Sequence, residues 1–184
     1  MNEIYLVNHR PPNCQPLKSI MRLPKKEAFE LAAQLKSETA ICEAYGRFND
    51  DNFSAYYDIR MRAEQWLYEK FIEMGGKPQT KHPVYFYVHS WHLENKFWET
   101  KITERIALSE IDECDISFGF GDSTCEVDRP ERKEPIMKKE LLKYIAEHDN
   151  DIEKFLKTVR HGMLEAYIWN DKYFEKMEAL RSEQ

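Results

Sequence analysis

The sequence predicts a single α+β domain over residues 1–184, with a mixed or mainly antiparallel sheet of five or six strands and four or five packed helices. Three observations carry this. Strand patterns fall at the start, middle and end of the chain, without the regular strand–helix alternation of a doubly wound sheet. Hydrophobic residues make up 42% of the chain and aromatics 13%, enough for one sizeable core at this length. Residues 57–89 join a long helix pattern to a strand pattern across one sharp break.

Ile4–Val7 is apolar on both faces and reads as an interior strand. Asn8-His9-Arg10-Pro11-Pro12 is expected to stop it, because proline cannot donate to a sheet ladder. That places His9 and Arg10 at the mouth of a buried strand, where they are either ordinary loop residues or part of a site. Pro24 fits a helix first turn, and Ala28, Leu31, Ala32 and Leu35 form the buried face that follows. Thr39–Phe48 alternates weakly, as a strand would. Asn49-Asp50-Asp51-Asn52 is a turn cluster able to cap the next helix.

That helix carries Ile59, Ala63, Trp66, Leu67, Phe71 and Met74 at helical spacing, with Arg60, Arg62, Glu64 and Glu69 mostly off the stripe. Gly75 and Gly76 suit its C-terminus, and Pro78 cannot continue it. Val84, Phe86 and Val88 then alternate with Tyr85, Tyr87 and His89, a strand heavy on both faces. Ile102–Leu108 and Ile116–Gly121 give two more. In the second, Gly119 and Gly121 leave one face bare, which points to a bulge, a close backbone or a ligand. Asp128–Pro135 is charged and bracketed by prolines, a solvated loop. Leu141, Leu142 and Ile145 mark one amphipathic helix. In the next, Asn150 and Glu153 imitate a capping box. The last strand is Met163–Trp169, and a charged, helical tail follows it.

Composition bounds the function. No apolar run reaches the length needed to cross a bilayer, and Met1-Asn2-Glu3-Ile4 lacks a secretion-signal pattern, so a cytoplasmic protein is expected. Cys14, Cys42, Cys114 and Cys125 are scattered, which suits reduced thiols better than a metal cage or a disulfide framework. His82 and His89 flank one strand, roughly 20 Å apart by strand rise, so they cannot share an ion. No metal site is expected. The net charge of −6 is uneven: residues 1–92 hold 12 basic and 11 acidic side chains, residues 93–184 hold 15 and 22. Such a chain is a poor generic nucleic-acid binder, and its acidic second half suits a basic protein partner.

Glu165 stands out. It shares the face of its strand with Met163, Tyr167 and Trp169, so if that face is covered, the carboxylate must be paired or its pKa must rise. A carboxylate of that kind is a candidate base or cation stabiliser. With the strand face open, it is an ordinary outward glutamate.

Glu64-Gln65-Trp66-Leu67-Tyr68, Gly75-Gly76-Lys77-Pro78, Pro83-Val84-Tyr85-Phe86, and Ile116-Ser117-Phe118 with Gly121-Asp122-Ser123 resemble a pattern shared by uncharacterised bacterial proteins. No activity attaches to that likeness. In arrangement alone, the chain also resembles the ADP-ribosyltransferase fold. There, an early strand ends in a histidine or arginine that holds NAD, and a late strand carries a glutamate that steadies an oxocarbenium-like transition state. The resemblance implies that His9 or Arg10 holds the cofactor and Glu165 does the chemistry. Gly119 and Gly121 would line the same cleft. The chain departs from that pattern in lacking a Ser-Thr-Ser segment, and Met163 stands where a second glutamate would. It also leaves the middle-strand tyrosine or serine unassigned, since Tyr56 and Tyr57 open a helix. Two readings follow: a binding or regulatory domain needing no cofactor, and an NAD-using transferase.

Overall fold

In a computed structural model, which describes residues 3–10, 17–38, 50–89 and 102–175, the alternating segments pair into one six-stranded sheet. In chain order the strands are β1 (Tyr5–Arg10), β2 (Val84–Val88), β3 (Ile102–Ala107), β4 (Ile116–Phe120), β5 (Ile136–Met137) and β6 (Leu164–Ile168). Their order across the sheet is β3-β1-β2-β6-β4-β5, and all five pairings are antiparallel. Among the described residues the α-helices that accompany them are α1 (Lys25–Glu38), α2 (Asp50–Glu73), α3 (Lys138–Ala146) and α4 (Ile152–Leu156). Among the described residues no helix is long and apolar enough to cross a membrane.

Period-two alternation sends each strand's side chains to two faces. One face brings Leu6, Phe86, Phe118, Leu164, Ala166 and Ile168 together with Leu141 and Ile145 of α3 and Phe155 and Leu156 of α4. The other packs Tyr167, Trp169 and Met137 against Leu67 and Phe71 of α2. Phe71 stacks on Trp169 at 5.1 Å between ring centroids and 13° between planes, and the Trp169 indole N–H donates to Ser117 Oγ at 3.0 Å. Away from the sheet, α1 closes a third cluster on the first half of α2, with Ala28 and Ala32 against Phe53 and Tyr57.

α2 ends as the glycine pair predicts. Gly75 has φ +91, its N–H donates to Ile72 O, and the Gly76 N–H reaches back to Phe71 O. These are the two bonds of a Schellman stop, and the left-handed residue is the one without a Cβ.

Several expectations shift. β1 does not stop at Val7: Asn8, His9 and Arg10 pair with Glu104, Thr103 and Ile102, so they are strand residues rather than a loop mouth. α2 begins at Asp50, inside the expected turn cluster. The cap of α4 is Asp151, whose side chain accepts from the Glu153 and Lys154 N–H groups, while Asn150 takes φ +58 before it. Two-residue β5 was too short to leave a period in the sequence. Trp66 is half-buried at the flank of α2, while Arg60 and Glu64, expected off the stripe, face the sheet. The weak strand pattern at Thr39–Phe48, the aromatic run from Ser90 to Trp98, Cys14, Cys42 and the end of the tail lie outside the described residues.

Candidate functional site: a polar centre at Glu165

β6 lies near the middle of the sheet, and Glu165 lies at the middle of β6, paired with Tyr87 on one side and Gly119 on the other. Its face is covered, and the residue is 3% exposed. The carboxylate is therefore held from two directions. The Tyr167 hydroxyl donates to Oε2 at 2.9 Å, and the Ser123 backbone N–H donates to the same oxygen at 3.0 Å.

The local sequence explains how each partner arrives. A Cβ at Gly119 would collide with the Tyr167 hydroxyl, so the bare backbone of β4 is the space into which that tyrosine leans. At Gly119 the bare face is thus filled by the protein's own Tyr167 side chain. Gly121 takes φ +82 and donates to Met163 O, turning the chain sharply after β4. Asp122 Oδ1 then accepts from the Thr124 and Cys125 N–H groups at 2.8 and 3.2 Å, an Asx-type turn that leaves the Ser123 N–H for Glu165.

A second layer comes from α2. The Arg60 guanidinium lies 3.3 Å over the Tyr85 ring, and Tyr85 meets Tyr167 edge-on at 5.0 Å. Arg60 Nε donates to Glu64 Oε1 at 2.6 Å, and Glu64 Oε2 lies 2.6 Å from His82 Nδ1. Glu64 has no exposed surface, and each of its two oxygens has a partner. Two hydroxyls of the centre remain unsatisfied: Tyr85 Oη and Ser123 Oγ are buried without a hydrogen-bond partner of good geometry among the described residues.

Burial dominates the electrostatics. It raises the Glu165 pKa from 4.5 to about 7, with Asp122 adding to the rise and Arg60 and Ser123 opposing it. Tyr85 and Tyr167 are pushed well above the usual phenol range, again chiefly by burial. Near neutrality the centre therefore holds a carboxyl that can carry a proton or release it, ringed by protonated phenols.

The sequence-predicted residues are divided by the fold. His9 shares the face of Glu165, two strands away, with Nδ1 3.0 Å from Thr103 Oγ1. Strand spacing and rise put the two Cα atoms ~12 Å apart. Gly119 is the neighbour of Glu165, and Gly121 makes the turn that delivers Ser123. Arg10 pairs with Ile102, one residue out of step with His9. Among the described residues no group of three or more histidine, cysteine or acidic side chains is placed to hold a metal. A separate cavity of ≈ 350 Å³ lies beside Ile4, His89, Ile145 and Glu153 and includes none of the centre.

The sequence reading missed Arg60, Glu64, Tyr85 and Ser123. A signal existed for the first two. Phe53, Tyr57, Arg60, Glu64, Leu67 and Phe71 step by three or four along one line, so both charged residues interrupt the buried stripe itself.

Fold and centre together define an α+β domain with a wholly antiparallel sheet and a buried carboxyl–phenol–guanidinium cluster between that sheet and its longest helix. No protein-family model matches the chain, and neither a curated protein nor a solved structure matches it significantly.

Proposed function

We propose that the protein binds a small hydroxyl-bearing ligand of the nucleoside class at the Glu165 centre. The observation that carries this is a pair of buried hydroxyls beside the Glu165 carboxyl, Tyr85 Oη and Ser123 Oγ, without a hydrogen-bond partner of good geometry among the described residues. Each buried polar group left without a partner costs about 1–3 kcal/mol. A vicinal diol such as ribose both donates and accepts, so it recovers that cost at the two hydroxyls while meeting the carboxyl beside them. Titration calorimetry with adenosine tests the reading. Saturable binding that Ser123→Ala weakens supports it, and no heat at millimolar adenosine removes it.

One observation favours a second reading, in which the same centre uses NAD. Strand order places β2 between β1 and β6, so His9, Tyr85 and Glu165 lie on three adjacent strands of one face. Tyr85 would in this reading take the middle-strand position that the sequence left unassigned in the resemblance to ADP-ribosyltransferases. In this reading an ionised Glu165 steadies the positive charge that develops as the nicotinamide bond breaks. Nicotinamide release from NAD, lost in Glu165→Gln, is the expected result. Absence of release at pH 8, with the protein folded, excludes it.

The alternative of a basic protein partner has less support. Many acidic side chains of the second half already have cations: Asp112 and Asp115 share Lys172, Asp128 has Arg62, and Asp149 has Lys154.

A further inference from the structure

We infer that Arg60 and Arg132 form an anion-binding arm of the Glu165 centre, so that the ligand carries a phosphate group. Resting on the nucleoside reading above, this narrows the ligand to a nucleotide.

Arginines in this protein are usually matched. Arg22 meets Asp171, Arg62 meets Asp128, and Arg129 and Arg160 meet Glu126. Arg132 differs. Its guanidinium lies 3.5 Å over the Trp66 ring, half-buried, and makes neither an ion pair nor a hydrogen bond among the described residues. Burial lowers its pKa, and the groups that oppose this include the Tyr167 and Tyr85 hydroxyls, Glu126 and Glu134, none of them at ion-pair distance. A cation has been taken partly out of water with no anion set against it.

Arg60 supplies the second half. Its side chain is 12% exposed, and its Nε is committed to Glu64. Neither Nη1 nor Nη2 has a hydrogen-bond partner among the described residues. Its charge is felt at Tyr85 and Glu165, and that of Arg132 at Tyr85 and Tyr167, so the two guanidiniums act on one tyrosine pair. Both lie over an aromatic ring, at 3.3 and 3.5 Å from its centroid, which leaves N–H groups of the fork for a ligand. A planar fork of N–H donors matches the oxygens of a phosphate better than an ammonium does.

Carboxylate ligands compete with phosphates for such forks, but the neighbouring Glu165, Ser123 and Tyr85 call for hydroxyls. A phosphorylated ribose offers both on one molecule. Unlike Arg60, Arg132 sits on the 121–135 segment, which also supplies Ser123, so one segment delivers a group to each half of the ligand.

The test is titration calorimetry of the full chain with three probes: inorganic pyrophosphate, adenosine and ADP. ADP is expected to bind about tenfold tighter than adenosine or better, the worth of one charge-assisted hydrogen bond. Arg132→Gln should remove that advantage. Arg60→Lys keeps a cation beside Glu64 while giving up the two Nη groups, and it should weaken pyrophosphate. Should that variant fail to fold, Arg132→Gln decides the matter alone. Equal affinity for ADP and adenosine, or ADP binding indifferent to Arg132→Gln, overturns the inference and leaves the nucleoside reading standing. Pyrophosphate binding that depends on Arg132, without adenosine binding, upholds the anion arm and removes the nucleoside reading.

Discussion

Ionising Glu165 means charging a carboxyl beside three tyrosines, with two hydrogen bonds to one oxygen as compensation. The folded pKa of about 7 lies above the ordinary 4.5. The folded state therefore holds the proton more tightly than the unfolded chain. That contribution to stability is fully present below 4.5 and is lost as pH rises through about 7. Over that window the loss is about 3 kcal/mol. Glu165→Gln keeps an acceptor for Tyr167 and Ser123 but cannot ionise. Its melting temperature relative to the wild type should climb between pH 5 and pH 8, and parallel curves would show that Glu165 does not titrate there. Gly119 makes a second residue-scale prediction. Gly119→Ala drives a methyl into the Tyr167 hydroxyl and should destabilise by about 1–3 kcal/mol in urea melts. Adding Tyr167→Phe removes the colliding oxygen, so the double variant should lose less than the two single losses combined. Glu165 was legible from alternation alone, since one carboxylate interrupts an aromatic face. Its partners were not, because Ser123 and Tyr85 reach it through a turn and a neighbouring strand, and neither distance is written in local sequence.

At the scale of elements, α2 is held to the sheet by unlike means along its length. Toward the C-terminus Leu67 and Phe71 bury apolar surface against Trp169, whereas at mid-helix Arg60 and Glu64 meet Tyr85 and His82. Phe71→Ala should cost about 3–5 kcal/mol, read from chemical denaturation, because the stack on Trp169 cannot close over the space. The Gly121–Pro135 segment is tied across the same helix by Arg62–Asp128, Lys70–Glu134 and the Arg132–Trp66 stack. What had read as a solvated loop is thus anchored at three points. α2, β2, β4 and β6 were legible because each keeps its period over five residues or more. β1 ran past its expected end because its partner β3 supplies the ladder that the proline pair had argued against. The α4 cap moved by one because Asp151 offers a better acceptor than Asn150, whose φ is left-handed.

For the whole molecule, acid and neutral pH act on different groups. Burial works against Asp115, but the Lys172 ammonium, the Tyr173 hydroxyl and the Asn170 amide prevail and hold its carboxyl below 3.8. Its contribution is present above that value and lost as pH falls, the reverse of Glu165. Calorimetric melting should therefore weaken on both sides of a mildly acidic optimum. Asp115→Asn should flatten the acid limb alone, and an unchanged limb would assign it elsewhere. The fold class and the number of strands were legible from composition and pattern. The order of the strands was not, because pairing between residues a hundred positions apart leaves no local mark.

β6 completes the sheet from the inside. Until residues 164–168 leave the ribosome, β2 and β4 each present an open ladder, and the chain carries two sticky halves with nothing between them. Neither can be sealed before β6 has emerged. A chain released before Leu164 should accumulate in the pellet rather than as a smaller folded protein.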